Sequence, residues 1–279
     1  MDKFIVKGPC KVKGEISISG SKNAALPILA STILFEKEVT IKNLPRVKDI
    51  DTMINLLKSL GSEIKFSKNK KIVKITKKKK QNFFASYSLV RTMRAGILVL
   101  GALVAKHQKS ITSLPGGCLI GARPVNYHLN ALKKLGMKYD IKKGYIHAHT
   151  KEKLKGAKIR FSKISVGATE NTIIAACLAT GITILRNCAI EPEIIDLINF
   201  LKKLDVNINI AHRKITIGKS VIKKKISHKV ICDRIELGTY LIGGALTAKK
   251  LKLKNIDPDL IKEEIKILKK MGVKMNIRK

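Results

Sequence analysis

The chain has 279 residues, with 57 Lys and Arg against 20 Asp and Glu and a formal net charge of +37. A chain of this length lies near the size at which single hydrophobic cores stop growing, so two domains are expected. The charge would fit a nucleic-acid-binding protein, but the lysines are spread along the chain and only 4% of the residues are aromatic. Because base stacking needs aromatic faces beside a basic groove, no nucleic-acid partner is predicted.

The apolar segments and cysteines exclude further classes of protein. The longest apolar run, residues 97–105, is far too short to span a bilayer, and the N-terminus lacks a signal-like stretch. The five cysteines show no C-x-x-C pairing, so no disulfide framework or zinc site is expected. His147 and His149 would share one face of a strand, but they have no carboxylate or cysteine partner. We therefore predict a cytoplasmic protein with no membrane partner, no metal and no cofactor.

One unit of secondary structure recurs four times along the chain. Each copy begins with an apolar helix of small residues, continues through a strand, and reaches a proline that marks a second, amphipathic helix. The predicted first helices are residues 23–34, 94–105, 168–179 and 239–248, the strands are 38–41, 110–113, 182–185 and 251–253, and the prolines are Pro45, Pro124, Pro192 and Pro258.

A left-handed turn is predicted to end the second helix of each copy. The turn residues are Gly61, Gly136, Asp205 and Gly272, which recur about every 70 residues. A strand should follow each turn, and in the first three copies another strand comes next, predicted at residues 71–75, 145–149 and 214–217. The fourth copy stops at Lys279, before a strand of that kind.

These βαβαββ repeats predict an α+β protein in which each repeat covers one face of a helix layer with a short sheet. Three repeats suffice to close a domain, so residues 22–231 are expected to form a complete three-repeat domain. The fourth repeat, residues 232–279, should join residues 1–21 in a partial second domain. The N-terminal segment is expected to supply a strand pair, at residues 4–6 and 15–19.

The third and fourth repeats each carry one further expectation. Glu191 and Glu193 flank Pro192 at a helix start, where capping and a favourable interaction with the helix dipole are expected ahead of acid–base chemistry. The fourth repeat should expose an apolar face along Ile261, Ile265 and Leu268, because its neighbouring repeats are missing.

The segment SLPGGCLIGARPVNYH, residues 113–128, contains the candidate reactive group. Gly116 and Gly117 allow a mobile loop that presents Cys118, and Arg123 can lower the pKa of its thiol. One cysteine and one arginine also fit a free thiol in an ordinary turn. The residues alone leave both interpretations open.

The repeat order, the SKNAALP opening and the PGGCLIGARP loop resemble the UDP-N-acetylglucosamine 1-carboxyvinyltransferase family, the enolpyruvyl transferases of early peptidoglycan synthesis. The resemblance runs from MDKFIVKGP to GVKMNI. It implies the inside-out α/β barrel of that family, with two three-repeat domains, so about 140 residues or two repeats fall outside this chain. It also implies a cytoplasmic transferase of cell-wall biogenesis, on which cell shape, cell cycle and cell division depend.

The resemblance implies a set of site residues. Cys118 is implied as the reactive proton donor, and Lys22 as a catalytic residue that also binds phosphoenolpyruvate. Asn23 is implied to bind the sugar, and Arg94 to lie near the substrate. The implied uridine nucleotide site consists of Arg123, Pro124, Val125, Asn126, Tyr127, Lys163, Ile164, Ser165 and Val166. Asn126 and Tyr127 stand where the family commonly has an acidic residue and Leu.

The implied reaction transfers the enolpyruvyl group of phosphoenolpyruvate to the 3-hydroxyl of UDP-N-acetylglucosamine and releases phosphate. The family's aspartate base belongs to the repeats that this chain does not reach. Two hypotheses stay open: an enzyme, completed if necessary by a separate fragment, and a non-catalytic remnant that binds only the UDP-sugar. The related enzyme that acts on shikimate 3-phosphate shares the fold, but the thiol loop argues against that activity.

Overall fold

The computed structural model describes residues 3–8, 12–116, 125–220 and 224–277. The chain divides into two compact units, a larger one of Lys22–Val230 and a smaller one of Met1–Ser21 with Ile231–Lys279. Within the described ranges, no helix combines the length and the apolar character that crossing a membrane requires.

Helices and strands alternate along the whole chain. The helices of the described residues are α1 (Lys22–Ser31), α2 (Lys48–Ser59), α3 (Tyr87–Val90), α4 (Leu98–His107), α5 (Asn126–Lys134), α6 (Val166–Ala176), α7 (Pro192–Lys202), α8 (Arg234–Thr247) and α9 (Lys262–Lys270). The strands are β1 (Val12–Ser17), β2 (Val39–Lys42), β3 (Ser62–Phe66), β4 (Ile72–Lys77), β5 (Phe84–Ala85), β6 (Lys109–Ser113), β7 (Lys138–Lys142), β8 (Tyr145–His149), β9 (Lys158–Arg160), β10 (Thr183–Arg186), β11 (Val206–Ala211), β12 (Lys214–Ser220), β13 (Ile226–Lys229) and β14 (Ala248–Lys254).

Three apolar helices form the centre of the larger unit. α1, α4 and α6 are built mainly from Ala, Leu, Ile, Val and Thr, and nearly every residue in them is buried. The three helices pack against one another. A helix that is apolar all round is stable only in an interior, so their composition places them there. The amphipathic helices α2, α5 and α7 pack against this central group.

The sheets of the larger unit exchange strands in a cycle. Over the described residues, each of the three sheets has four strands, in the orders β13-β2-β4-β3, β5-β6-β8-β7 and β9-β10-β12-β11. Within each sheet the pairs are antiparallel except for the first, which is parallel. In each sheet, the strand on the parallel edge comes from the preceding repeat. The third repeat supplies β13 to the sheet of the first repeat, which completes the cycle. The repeats therefore form a closed ring of helices inside sheets, which confirms the predicted α+β class.

Left-handed turns end the second helices as predicted. Gly61, Gly136 and Gly272 have φ values of +95°, +103° and +88°, and Asp205 has φ +58°. Asp is among the few residues with a side chain that enter this region readily, so it can replace Gly here. The ends of the second helices predicted from the sequence are confirmed at these four positions.

The smaller unit has a small core of its own. β1 pairs in parallel with β14, as the parallel edge strands do in the larger unit. Ile18, Cys232, Leu237 and Ile261 form the buried cluster, with Ile265 packed against it. The expected exposed face along Ile261 is therefore wrong at that residue, because N-terminal residues cover it. The expected strand at 4–6 is also wrong, since residues 3–8 are exposed and contain no strand.

α8 differs sharply in burial from its counterparts α1, α4 and α6. Leu237 is its one buried residue, although its sequence is comparably apolar. Ile235, Tyr240, Ile242 and Leu246 are exposed. In the described residues, the exposed apolar surface of the fourth repeat thus includes α8, which differs in this from the buried first helices of the other repeats.

Candidate functional site

Predicted site residues occupy the N-terminal ends of the three central helices. Lys22 is the first residue of α1, and Val166 is the first residue of α6. Arg94 begins the 3₁₀ turn Arg94–Ile97 that leads into α4. These are equivalent positions of the three repeats. Because N–H groups without helical partners and the positive end of the helix dipole lie there, the arrangement suits an anionic ligand.

Lys22 forms an ion pair with a residue that is distant in sequence. Its Nζ lies 2.9 Å from Oδ2 of Asp49, in the first turn of α2. The two side chains are 41% and 34% exposed, so the pair is open to solvent. The ammonium group is therefore held at the start of α1 and can still reach a ligand. Asn23, beside it, is exposed.

The segment before α6 presents its side chains to solvent. Ser165 is the N-cap, and its Oγ accepts a hydrogen bond from the Ala168 N–H at 3.3 Å. Lys163, Ile164 and Val166 are exposed. The cap fixes the first turn of α6, while the neighbouring side chains stay available for contact.

A pocket opens beside the start of α5. α5 begins at Asn126, which is exposed, and Val125 is its N-cap residue. Tyr127 lines a pocket of about 470 Å³, together with the apolar residues Ile159 and Phe161. Three cations also line it: Lys133, Lys134 and Arg160. Aromatic and apolar walls with a cationic rim fit a flat ring that carries a negative group.

A buried hydrogen-bond network joins α4, α5 and α6 beneath this end of the unit. The N–H of Gly101 donates to Oδ1 of Asn171 at 3.0 Å. Nδ2 of Asn171 donates to the carbonyl of Ile97 and lies 3.1 Å from Nδ1 of His128. Burial, with a further contribution from the charge of Arg94, lowers the pKa of His128 to about 4. The imidazole is therefore neutral at physiological pH.

Three predicted site residues, Cys118, Arg123 and Pro124, lie outside the described residues. The described part of their loop ends at Gly116, which packs against the backbone of Arg91. A Cβ at Gly116 would lie 2.2 Å from the carbonyl oxygen of Arg91. Only glycine fits this approach, because the clashing atoms are backbone rather than a side chain that can rotate away.

Three other cysteines, Cys177, Cys188 and Cys232, are buried and are poor candidates for a reactive thiol. Burial raises the pKa of Cys177 to about 12 and that of Cys188 to about 11. Burial likewise raises the pKa of Cys232. A thiol that stays protonated is a poor nucleophile, so these cysteines serve as core residues.

Buried acidic groups lie where α6 meets α7. Burial first, and then the charges of Glu193 and Glu191, raise the pKa of Glu170 well above its ordinary value. Its environment therefore favours the protonated, uncharged form of this carboxyl group. The side chain of Glu191 makes no capping hydrogen bond to α7, so the expected capping role is wrong for this residue.

Comparison with known proteins gives one consistent result. Residues 6–279 match the profile of the EPSP synthase (3-phosphoshikimate 1-carboxyvinyltransferase) family. A UDP-N-acetylglucosamine 1-carboxyvinyltransferase of Pelagibacter ubique is 58% identical over all of this chain, which covers 67% of that relative. A protein of the same name from Hamiltonella defensa is 45% identical, and this chain covers 66% of it. The chain thus spans about two thirds of the length of the curated relatives it matches.

Solved structures share the fold at low sequence identity. The enolpyruvyl transferase NikO from Streptomyces tendae superimposes with a TM-score of 0.82 at 18% identity, covering 97% of this chain and 65% of that one. An EPSP synthase from Acinetobacter baumannii gives a TM-score of 0.75 at 18% identity, covering 96% of this chain and 61% of that one.

Proposed function

Because the chain belongs to the EPSP synthase family of carboxyvinyl transferases, and within it to the UDP-N-acetylglucosamine 1-carboxyvinyltransferases, we propose that it serves enolpyruvyl transfer to UDP-N-acetylglucosamine. The observation that carries this proposal is the 58% identity that extends over the whole chain. The acceptor is then the nucleotide sugar rather than shikimate 3-phosphate. The step belongs to peptidoglycan synthesis in the cytoplasm, where it serves cell shape and division.

The proposed chemistry needs an acid, a base and anion-binding groups. The sugar 3-hydroxyl gives its proton to a base and attacks C2 of phosphoenolpyruvate while C3 takes a proton; C3 of the resulting tetrahedral intermediate then loses a proton, the C2–O bond to phosphate breaks, and the double bond of the product re-forms. Cys118 supplies the proton, and Lys22 binds the phosphate and carboxylate groups. The base comes from repeats that lie in the remaining third of the relatives' length.

The geometry of the larger unit supports binding of the nucleotide sugar. The capped start of α6, next to Lys163, offers N–H groups and a positive charge to a diphosphate. The pocket beside Tyr127 and Phe161 can take a flat base. Residues 159–162 line this pocket and residue 166 begins α6, so one nucleotide can contact the pocket with its base and the helix start with its diphosphate. Asn23, Arg94, Arg123, Pro124, Val125, Asn126, Ile164 and Ser165 complete the proposed site.

The experiment that tests the function is phosphate release. The purified chain is incubated with UDP-N-acetylglucosamine and phosphoenolpyruvate, and inorganic phosphate is measured over time. We expect turnover that requires both substrates, with a loss of about 100-fold or more in Cys118→Ala, because proton transfer by a positioned group contributes about that much. Phosphate release that Cys118→Ala leaves unchanged would contradict the role of this thiol.

A second candidate function is binding without catalysis. The exposure of α8 favours this second function, because the equivalent helices α1, α4 and α6 are buried by neighbouring repeats. Its exposed apolar residues are Ile235, Tyr240, Ile242 and Leu246. We propose that two further repeats of the same kind cover this surface in the active enzyme. Absence of phosphate release that is restored by a polypeptide carrying those repeats would support a split enzyme. Continued absence, together with binding of UDP-N-acetylglucosamine, would support the binding remnant.

Gly116 offers a test of how the thiol loop is positioned. Gly116→Ala pushes a methyl group against the Arg91 carbonyl, so the loop leaves its position. We expect phosphate release to fall by about 100-fold, because misplacing a catalytic group by about 1 Å has that effect. The matched control is Gly238→Ala, whose Cβ meets nothing within 4 Å. Equal rates for the two variants would show that the contact with Arg91 does not position the loop.

A further inference from the structure

The strand β14 has one edge that pairs with no other strand of the described residues. Its other edge pairs in parallel with β1, which gives a sheet of two strands. The equivalent strands of the larger unit, β2, β6 and β10, each carry an antiparallel strand of their own repeat on this second edge. A sheet of two strands is only marginally stable, and the N–H and C=O groups of a free edge accept a further strand. We call this side of β14 the open edge.

The segment of residues 3–8 has the chain position of the strand that the open edge lacks. β1 pairs in parallel, as β5, β9 and β13 do in the larger unit. The strands that come immediately before those three are β4, β8 and β12, which are the antiparallel partners of the central strands. Because residues 3–8 come before β1 in the same way, the repeat assigns them the place of an antiparallel strand.

The side chains of this segment are typical of a buried strand, yet they are exposed. Phe4, Ile5 and Val6 are 101%, 78% and 88% exposed. Aromatic and β-branched residues are enriched in strands, and adjacent exposed apolar residues mark surfaces that bind another surface. The equivalent strand β4 buries its Val73 and Ile75 completely. The segment therefore has the composition of a strand without the packing of one.

The segment cannot reach the open edge of its own β14. The two strands that flank a central strand are about 9.5 Å apart. A path over the backbone of β14 lengthens this distance toward the maximum of about 14 Å that the chain from Gly8 to Val12 can span. A link at full extension cannot also reverse the direction of the chain. In the larger unit, likewise, successive strands such as β4 and β5 belong to different sheets.

A second copy of the chain has no such restriction, and its segment matches the open edge in side-chain pattern. Phe4 and Val6 share one face of an extended strand, and Leu251 and Leu253 share the partly buried face of β14. Leu253 packs against the buried cluster of the smaller unit. A strand added with Phe4 and Val6 on this face enlarges that core, as strand addition does at other exposed sheet edges.

We propose that two copies of this chain associate by exchanging strands, so that residues 3–8 of each copy pair antiparallel with the open edge of β14 in the other. The exchange is reciprocal, so both copies use the same two surfaces and the assembly closes as a dimer. The association is independent of the proposed reaction. It accounts for a segment of strand-forming residues that contains no strand in the single chain.

The charges of the two surfaces oppose the association and give it a diagnostic salt dependence. β14 has four lysines, of which Lys252 and Lys254 form ion pairs with Glu15 of β1. The segment adds Lys3 and Lys7, and each copy has a formal net charge of +37. Salt screens the repulsion between exposed charges, so association should tighten as ionic strength rises. A contact held by ion pairs would weaken instead.

Sedimentation velocity of the full chain over a range of protein concentrations measures the association. The purification tag is placed at the C-terminus, so that residues 3–8 stay free. We expect a species of twice the 30.9 kDa mass of the chain. Its dissociation constant should fall as NaCl is raised from about 50 to about 500 mM. A chain that stays monomeric at every concentration and salt level overturns the proposal, as does a dimer that salt weakens.

Two double variants locate the contact. Ile5→Pro with Val6→Pro removes an N–H group from each side of the segment, so whichever side faces β14 loses a hydrogen bond. We expect its dissociation constant to be about tenfold higher than that of wild type. The matched control, Ile242→Gln with Leu246→Gln, removes exposed apolar surface from α8 and should associate like wild type. Weaker association in the control, or unchanged association in the proline variant, overturns the strand exchange.

Amide exchange of the wild type distinguishes strand exchange from any other interface. As the protein concentration rises, the amides of β14 and of residues 3–8 should gain protection together. In the proline variant, both segments should stay as they are in dilute wild type. All four substituted side chains are exposed, so both variants should keep the wild-type circular dichroism spectrum. Association without new protection in β14 would show that the copies meet elsewhere.

Discussion

Replacing Gly101 with Val should unfold the larger unit at a much lower temperature than wild type. Gly101 lies in α4, where a Cβ would stand 2.3 Å from Oδ1 and 2.7 Å from the carbonyl oxygen of Asn171 on α6. The added side chain forces the two central helices apart and breaks the hydrogen bond from Gly101 N–H to Asn171. Overpacking and an unpaired buried polar group together cost about 4 kcal/mol.

Thermal unfolding measured by circular dichroism checks this result, with an expected decrease in Tm of about 10 °C. The matched control is Gly218→Ala in β12, where a Cβ would meet Asn207 at an ordinary 3.5 Å. This control should unfold near the wild-type temperature. Similar Tm values for Gly101→Val and wild type would mean that α4 and α6 are not in close contact.

Asp196→Ala should open the ring where the third repeat joins the first. Oδ1 of Asp196, on α7, lies 2.9 Å from Nε2 of His228 on β13, and both side chains are only 4% exposed. The His228 ring also packs edge-on against Phe200. In the part of the chain that the structure describes, Nδ1 of His228 has no hydrogen-bond partner, so removing the carboxylate takes away the hydrogen bond of Nε2 and leaves the ring without support from either nitrogen. Leaving a buried hydrogen-bonding group without its partner costs about 1–3 kcal/mol.

Amide hydrogen exchange shows where Asp196→Ala destabilises the unit. Because β13 pairs with β2, we expect the amides of these two strands to lose protection together. Asp205→Asn is the control. Asp205 pairs with Lys224 in an exposed position, and Asn also accepts a left-handed conformation. No measurable change in stability is expected for it. Exchange that rises uniformly along the chain of Asp196→Ala would contradict a specific role in closing the ring.

The sequence was sufficient to predict the repeat, because its signals are local. Apolar helices, amphipathic helices and left-handed turns each depend on residues close together in the chain, and the turn at Asp205 is found where the spacing requires it. The short strands β5, β9 and β13 were not predicted. They are only two to four residues long, so they carry little local signal, and they form because a neighbouring repeat offers an unpaired edge.

The residues that support the candidate site were missed for a related reason. Asp49, His128 and Asn171 have partners that are distant in sequence, so no local pattern marks them. The burial of Ile261 was missed similarly, because Ile18 near the N-terminus covers it. The positions of Lys22, Arg94 and Val166 at helix starts, by contrast, follow from the repeat itself.

The cyclic exchange of strands means that the larger unit has no structural beginning. The chain enters and leaves it at one place, where Ser21 N–H donates to the carbonyl of Ile231 and Gly20 pairs with Cys232. A short linker between Lys22 and Val230 would therefore join these ends, and new ends could be opened between any two repeats. Such circular permutants would preserve every strand pairing of the unit, so the order of the three repeats in the gene is a matter of descent rather than of folding.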